Sequence, residues 1–199
     1  KTAEIMRKNG EWFISISMEY DSIERQCGTK AIGLDWGVSH YFSTVDQDGH
    51  FEQVENPRYL RNSKEQLASL QRHLALAKKG TRTHRKLKHQ IARLHQKIAR
   101  QRLDFIHKET AKLVEVAALI ATEKLTVKNM TRSAKGTIEK NGKMVKQKAG
   151  LNREVLNTAP AMTLNLLSYK AEEAGSEYVE VPTKQVKPSQ TCPDCGAKK

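Results

Sequence analysis

The sequence predicts an α/β domain built on a mixed sheet, on three observations. Short alternating apolar runs bounded by turn residues fill the first 55 positions. The period then lengthens to that of a helix from about 61 to 116. Strand-length apolar runs return at 117–122 and 178–181, with a helical stretch between them. At 199 residues the chain is one ordinary domain, or one domain with an appendage. Apolar residues are 38% of it, enough for one buried sheet, and no apolar run nears the roughly 20 residues of a membrane span. The N-terminus has neither a starting Met nor a signal peptide's apolar core, and Glu4-Ile5-Met6 reads as the middle of a strand.

Residues 3–8 and 11–20 alternate and are joined by Asn9-Gly10, which predicts a two-residue hairpin. Residues 21–30 are a polar linker. Strands follow at 31–36, 40–46 and 50–55, the last two joined by Asp46-Gln47-Asp48-Gly49, as a β-meander. Leu60, Leu67, Leu70 and Leu74 then recur at helical spacing, Lys79-Gly80-Thr81 interrupts them, and Leu87, Ile91, Leu94 and Ile98 resume the stripe. This predicts an antiparallel helical hairpin over 61–116, apolar inward and basic outward. Ala117 to Thr122 is a buried-strand run ending at Glu123. Residues 131–150, with Gly136, Gly142, Gly150 and many lysines, are expected to be a mobile basic loop. A helix is expected over 158–174, with Thr158 as N-cap, Pro160 in its first turn and Gly175 as its stop. Tyr178-Val179-Glu180-Val181 is the last strand. This order matches an RNase H-like fold, though order alone is shared with other α/β folds.

The formal net charge is +13, and it is unevenly spread. Residues 61–110 carry 14 Lys and Arg against 3 Asp and Glu, and residues 124–149 carry 8 against 1, so the rest of the chain is mildly acidic. Two basic patches on an acidic body are the footprint of a polyanion site. A solvated helix face is the plainer alternative. An anionic membrane surface fits less well, because no Trp backs the basic stretch. The nucleic-acid candidates are Arg82, Arg85, Lys86, Lys88, Arg93, Lys97, Arg100 and Arg102. Three cysteines, Cys27, Cys192 and Cys195, make no disulfide framework, which places the chain in a reducing cytoplasm.

Asp35 ends the first core strand and Glu123 ends the strand expected beside it. Parallel neighbours bring their C-terminal ends together, so the two carboxylates would converge at one sheet edge. Hard divalent cations such as Mg²⁺ or Mn²⁺ take oxygen ligands of this kind. Taken singly, each carboxylate reads more readily as an ordinary turn or solvated strand-end residue. Cys192-Pro193-Asp194-Cys195 has zinc-ligand spacing, but a structural zinc takes four protein ligands and only two are in sight.

Ile32-Gly33-Leu34-Asp35-Trp36-Gly37-Val38 with Glu55-Asn56-Pro57-Arg58 resembles the first RuvC motif of the TnpB (OrfB) family of transposon-encoded proteins, relatives of miniature type V CRISPR effectors. Glu123 through Met130 resembles their second motif. Tyr169-Lys170-Ala171-Glu172, then Ser189 through Gly196, resembles the approach to their zinc ribbon. The resemblance implies an RNA-guided endonuclease acting on target DNA, with Mg²⁺ (or Mn²⁺) in a RuvC-type site where Asp35 and Glu123 are two of three metal-binding carboxylates. Cleavage would follow a two-metal-ion mechanism. It implies a guide RNA, phosphate contacts through the basic helices, a prokaryotic nucleoid-associated setting, and structural Zn²⁺ in the full-length protein. On this reading 1–20 is the terminal hairpin of a preceding β-rich lobe, 31–187 the RuvC-like domain, and 188–199 the first half of a zinc ribbon. The family's third acidic residue lies beyond Lys199, so the fragment alone is expected to be inactive. That departure leaves a nuclease-inactive RNA-guided DNA-binding protein as the alternative.

Overall fold

The structure is a computed structural model and describes residues 2–19 and 27–182. The chain divides into two compact units, Lys1–Ile23 with Arg58–Phe105, and Glu24–Pro57 with Ile106–Lys199.

In the first unit, β1 (Ala3–Lys8) and β2 (Glu11–Ile16) form an antiparallel hairpin. Asn9 and Gly10 both take positive φ, 52° and 87°, the turn whose twist matches that of the strands. The expected second strand runs to 20, but the ladder ends at Ile16. Residues α1 (Tyr59–Asn62) and α2 (Lys64–Leu76) follow, and α3 (Arg82–Val116) begins here. Leu94 and Ile98 of α3 are buried, as the apolar stripe requires.

The second unit holds a five-stranded sheet in the order β5-β4-β3-β6-β7: β3 (Lys30–Trp36), β4 (His40–Asp46), β5 (Phe51–Glu55), β6 (Ala117–Glu123) and β7 (Glu177–Val181). The meander β3-β4-β5 is antiparallel, whereas β6 and β7 run parallel to β3. The sheet is therefore mixed, as the sequence predicts. A register irregularity between His40 and Phe42 lets consecutive residues Tyr41 and Phe42 both be buried. The Tyr41 hydroxyl donates to the Thr158 carbonyl at 3.0 Å and lies 2.6 Å from the Thr163 hydroxyl. Along the end of α3, Ile106, Thr110 and Val114 are buried at helical spacing.

Two expectations are corrected. The helix expected over 158–174 is the second of a pair, α5 (Val145–Thr158) and α6 (Pro160–Ala174), after the short α4 (Val127–Met130). Thr158 closes α5 rather than capping α6, and its hydroxyl donates to the Val155 carbonyl. The break falls at Ala159, in the left-handed region at φ 50°, because a residue preceding proline is held out of the right-handed helical region. The basic loop expected over 131–150 gives way to α5 at Val145. Two of α5's half-buried positions are polar: Lys148 donates to the Met130 carbonyl and Asn152 to the Thr131 carbonyl. A search for apolar periodicity does not see a helix anchored this way.

Candidate active site

Between β3 and β6 the last paired residues are Leu34 and Thr122. The next step along each strand is Asp35 and Glu123, so both occupy one rung of a parallel ladder. Residues on one rung share a face, and neighbouring strands lie about 4.8 Å apart. Leu34, Trp36 and Thr122 are buried on the other face, while Asp35 is exposed and Glu123 half-buried. Neither carboxylate has a hydrogen-bond or ion-pair partner among the described residues. Two carboxylates 88 positions apart are thus delivered side by side, free to take an outside ligand.

The same rung continues across the sheet. Asp35 faces Ser43 on β4, Ser43 faces Gln53 on β5, and Glu123 faces Val181 on β7. The Gln53 amide donates to the Ser43 hydroxyl at 3.2 Å. The row Gln53, Ser43, Asp35, Glu123 is polar throughout, and sequence reasoning missed its first two members. Only register could have found them, since serine and glutamine in strands carry no signal of their own. On the opposite face lies Tyr178, whose hydroxyl is buried without a hydrogen-bond partner among the described residues. Burial first, and the Glu180 charge second, push it up to about 12.

At the far end of β4, one donor atom each from Asp46, Asp48 and His50 lies within 4.8 Å of the others. Asp46 is already committed. Its Oδ2 accepts from Lys30 at 2.7 Å, and its Oδ1 accepts from the backbone amides of Asp48 and His50. The Lys30 hydrogen bond, aided by those amides, holds the carboxyl well below the usual range. Asp46 is a turn anchor.

On α3, Arg82, Arg85, Lys86, Lys88, Arg93 and Lys97 are exposed. Arg82, Lys86, Arg93 and Lys97 fall on one stripe at spacings of four, seven and four. Arg93, Lys97 and Arg100 line a groove of about 510 Å³ with Gln66 and Leu70 of α2. Arg100 is shared with the hairpin: it pairs with Glu11 and its guanidinium sits 5.7 Å from the Phe13 ring centroid. That hydrogen bond lowers the Glu11 carboxyl from its ordinary value. Arg102 is half-buried and also has contacts of its own. The fully solvent-facing set is therefore smaller than the eight residues the sequence suggested. Cys192 and Cys195 lie outside the described residues; Cys27 is half-buried and has no disulfide partner among the described residues. No helix among the described residues is long and apolar enough to cross a membrane.

A family model described as OrfB_IS605, Probable transposase, matches residues 14–134, which holds β3 through β6 and both carboxylates. The chain belongs to this family. It is 35% identical over 197 residues to a protein of Escherichia coli (strain K12) named "Putative RNA-guided DNA endonuclease InsQ", covering 98% of the chain and 48% of that relative. A "Putative RNA-guided DNA endonuclease" of Streptomyces pristinaespiralis is 28% identical over 187 residues, covering 94% of the chain and 42% of that relative. The chain thus spans about half the length of the curated relatives it matches. Among solved structures, a cryo-EM structure of a CRISPR-Cas12f ternary complex matches with a TM-score of 0.50 at 17% identity, covering 98% of this chain and 37% of that one. At that identity the likeness is one of fold.

Proposed function

We propose that this OrfB-family chain is the RNase H-like, RuvC-type nuclease core of an RNA-guided DNA endonuclease. The observation that carries the proposal is the single rung that sets Asp35 and Glu123 side by side on one face, without partners among the described residues. The donor set suits a divalent cation: two carboxylates that offer hard oxygen ligands, one exposed and one half-exposed. Asp35 and Glu123 would hold Mg²⁺ or Mn²⁺, with a third carboxylate from beyond Lys199. Bound divalent metal, as an ion pair in the family's two-metal arrangement, supplies charge neutralisation at the phosphoryl oxygens and an activated water.

The chain's own residues orient and hold. The β3-β6 ladder fixes the two carboxylates in mutual register, and the Ser43 hydroxyl stands next to Asp35 as a further polar group. The exposed cations of α3 would take phosphates of guide RNA and target DNA, a sequence-independent contact that leaves specificity to base pairing. The outer face of the N-terminal hairpin, with Ile5, Trp12, Ile14 and Ile16 all exposed, would be covered by a preceding β-rich lobe. Cys192 and Cys195 would supply half of a structural zinc site. The setting is a prokaryotic cytoplasm, with the protein gathered on the nucleoid by its charge.

Two measurements test this. Mn²⁺ titration followed by electron paramagnetic resonance should show binding to the chain that Asp35→Ala and Glu123→Ala each remove. The full-length protein loaded with its guide RNA should cut target DNA, and either substitution should abolish cutting while leaving DNA binding intact. Cutting that survives Asp35→Ala sinks the mechanism.

A further inference from the structure

Between α4 and α5 the chain makes a turn that takes no part in the rung of Asp35 and Glu123. The Thr137 amide donates to the Lys140 carbonyl at 3.0 Å, the Gly142 amide to the Lys135 carbonyl at 2.8 Å, and Gly136 and Asn141 form a bridge. The Lys140 amide adds a bond to the Thr137 hydroxyl. The two sides approach so closely that a Cβ at Gly142 would lie 1.5 Å from the Ala134 carbonyl oxygen, and one at Gly136 would lie 2.2 Å from the Lys140 oxygen. Only glycine fits either position. The base is held as well, by Lys148 on the Met130 carbonyl and Asn152 on the Thr131 carbonyl. This is a built turn with a fixed root.

Its tip is Ile138, which is 100% exposed. A β-branched apolar side chain held wholly in water gains nothing for the fold, because it buries no surface. Flanking it along the chain are Arg132, Lys135, Lys140, Lys143 and Lys146, with Lys148 already held by the Met130 carbonyl, against the one acid Glu139. Cations at the root with an apolar tip match a strand of unpaired nucleotides, whose phosphates want the former and whose base faces want the latter. Duplex nucleic acid offers the phosphates but keeps its base faces stacked, and apolar side chains that reach them act as wedges between base steps.

We propose that the turn 135–142 grips a single-stranded nucleic acid, with its lysines on the phosphates and Ile138 against a base face. The inference deepens the nucleic-acid reading above and rests on it. The turn's root leaves from the end of α4, seven positions past Glu123 at the end of β6.

The test is binding of fluorescent oligo(dT), oligo(U) and a DNA duplex of equal length to the whole chain, in chelator so that no metal chemistry enters. Ile138→Ser should weaken oligonucleotide binding about threefold to tenfold and leave duplex binding unchanged. Ile138→Trp should give an emission quenched by oligonucleotide and not by duplex, after subtracting the signal of Trp12 and Trp36. Gly142→Val, which keeps every lysine but spoils the turn, should behave like Ile138→Ser. Comparing oligo(dT) with oligo(U) distinguishes a DNA strand from an RNA strand. If the Ile138 variants bind all three probes like the parent, the proposal is overturned while the nuclease reading stands, since that reading is tested by Asp35 and Glu123. If the chain binds none of the probes, both the grip and the nucleic-acid reading fall.

Discussion

In the sheet unit, Asp35 and Glu123 are fixed by a backbone ladder whose other face is buried under Leu34, Trp36 and Thr122. In the helical unit, the cations of α3 stand on long side chains facing water, and the helix carrying them has only Leu94 and Ile98 fully buried along that stretch. The first arrangement gives position at the cost of tolerance, because a slip of one residue would turn Asp35 to the opposite face. The second gives charge without fixed position, which suits contacts to a phosphate chain that repeats itself. On the proposed function, one unit would hold the chemistry and the other the polyanion. Arg100, drawn out of the basic stripe by Glu11 and Phe13, marks where the second unit spends a cation on its own structure.

The sharpest way to break this contrast is to compare core truncations. Phe42→Ala, at a residue with no exposed surface, should cost about 3–5 kcal/mol. Leu87→Ala on half-buried α3 should cost about 1–2 kcal/mol. Urea unfolding followed by hydrogen exchange resolves the two, and equal losses would erase the distinction between a rigid and a permissive unit.

The charge half of the comparison is sharpened by salt dependence. Replacing Arg85, Lys86 and Arg93 together with Gln should lower the slope of log K against log salt by about 2 to 3. Asp35→Asn should leave that slope alone and keep or improve affinity, since it removes a negative charge near the phosphate path. A slope indifferent to the triple change would move the binding surface off α3.

A smaller effect probes how the sheet is tied to its covering helices. Tyr41→Phe deletes the hydroxyl shared with the Thr158 carbonyl and the Thr163 side chain, and should cost about 1–2 kcal/mol in thermal unfolding. Thr163→Val in the same background should then add less than it does alone, because both act on one network.

The smallest expected effect is electrostatic and depends on pH. The folded-state carboxyl of Asp46 is depressed, first by Lys30. Its contribution to stability is therefore fully present above the unfolded value of about 3.9 and is lost as pH falls from there through the folded value. Asp46→Asn should lower Tm at pH 7, and the gap to the parent should close as pH drops below about 4. A gap that instead widens in acid would contradict the anchor role.

The sequence by itself determined the strands, the Asn9-Gly10 hairpin, the meander, the long basic helix and the places of Asp35 and Glu123 toward the ends of two strands. These rest on local signals, namely period-2 and helical spacing, turn chemistry and two motif-like passages, which need no knowledge of distant contacts. Tertiary structure alone decided the rest. The rung that joins Gln53 and Ser43 to the two carboxylates exists only once register is set across four strands. The extension of helix back to Val145 depends on Lys148 and Asn152 finding carbonyls at the end of α4. Thr158 became a helix end rather than a cap because Ala159, placed before Pro160, turned into the left-handed region beneath the Tyr41 hydroxyl. In each case residues apart in the sequence were brought together by register or by hydrogen bonds, and such pairings leave no periodic trace in the sequence.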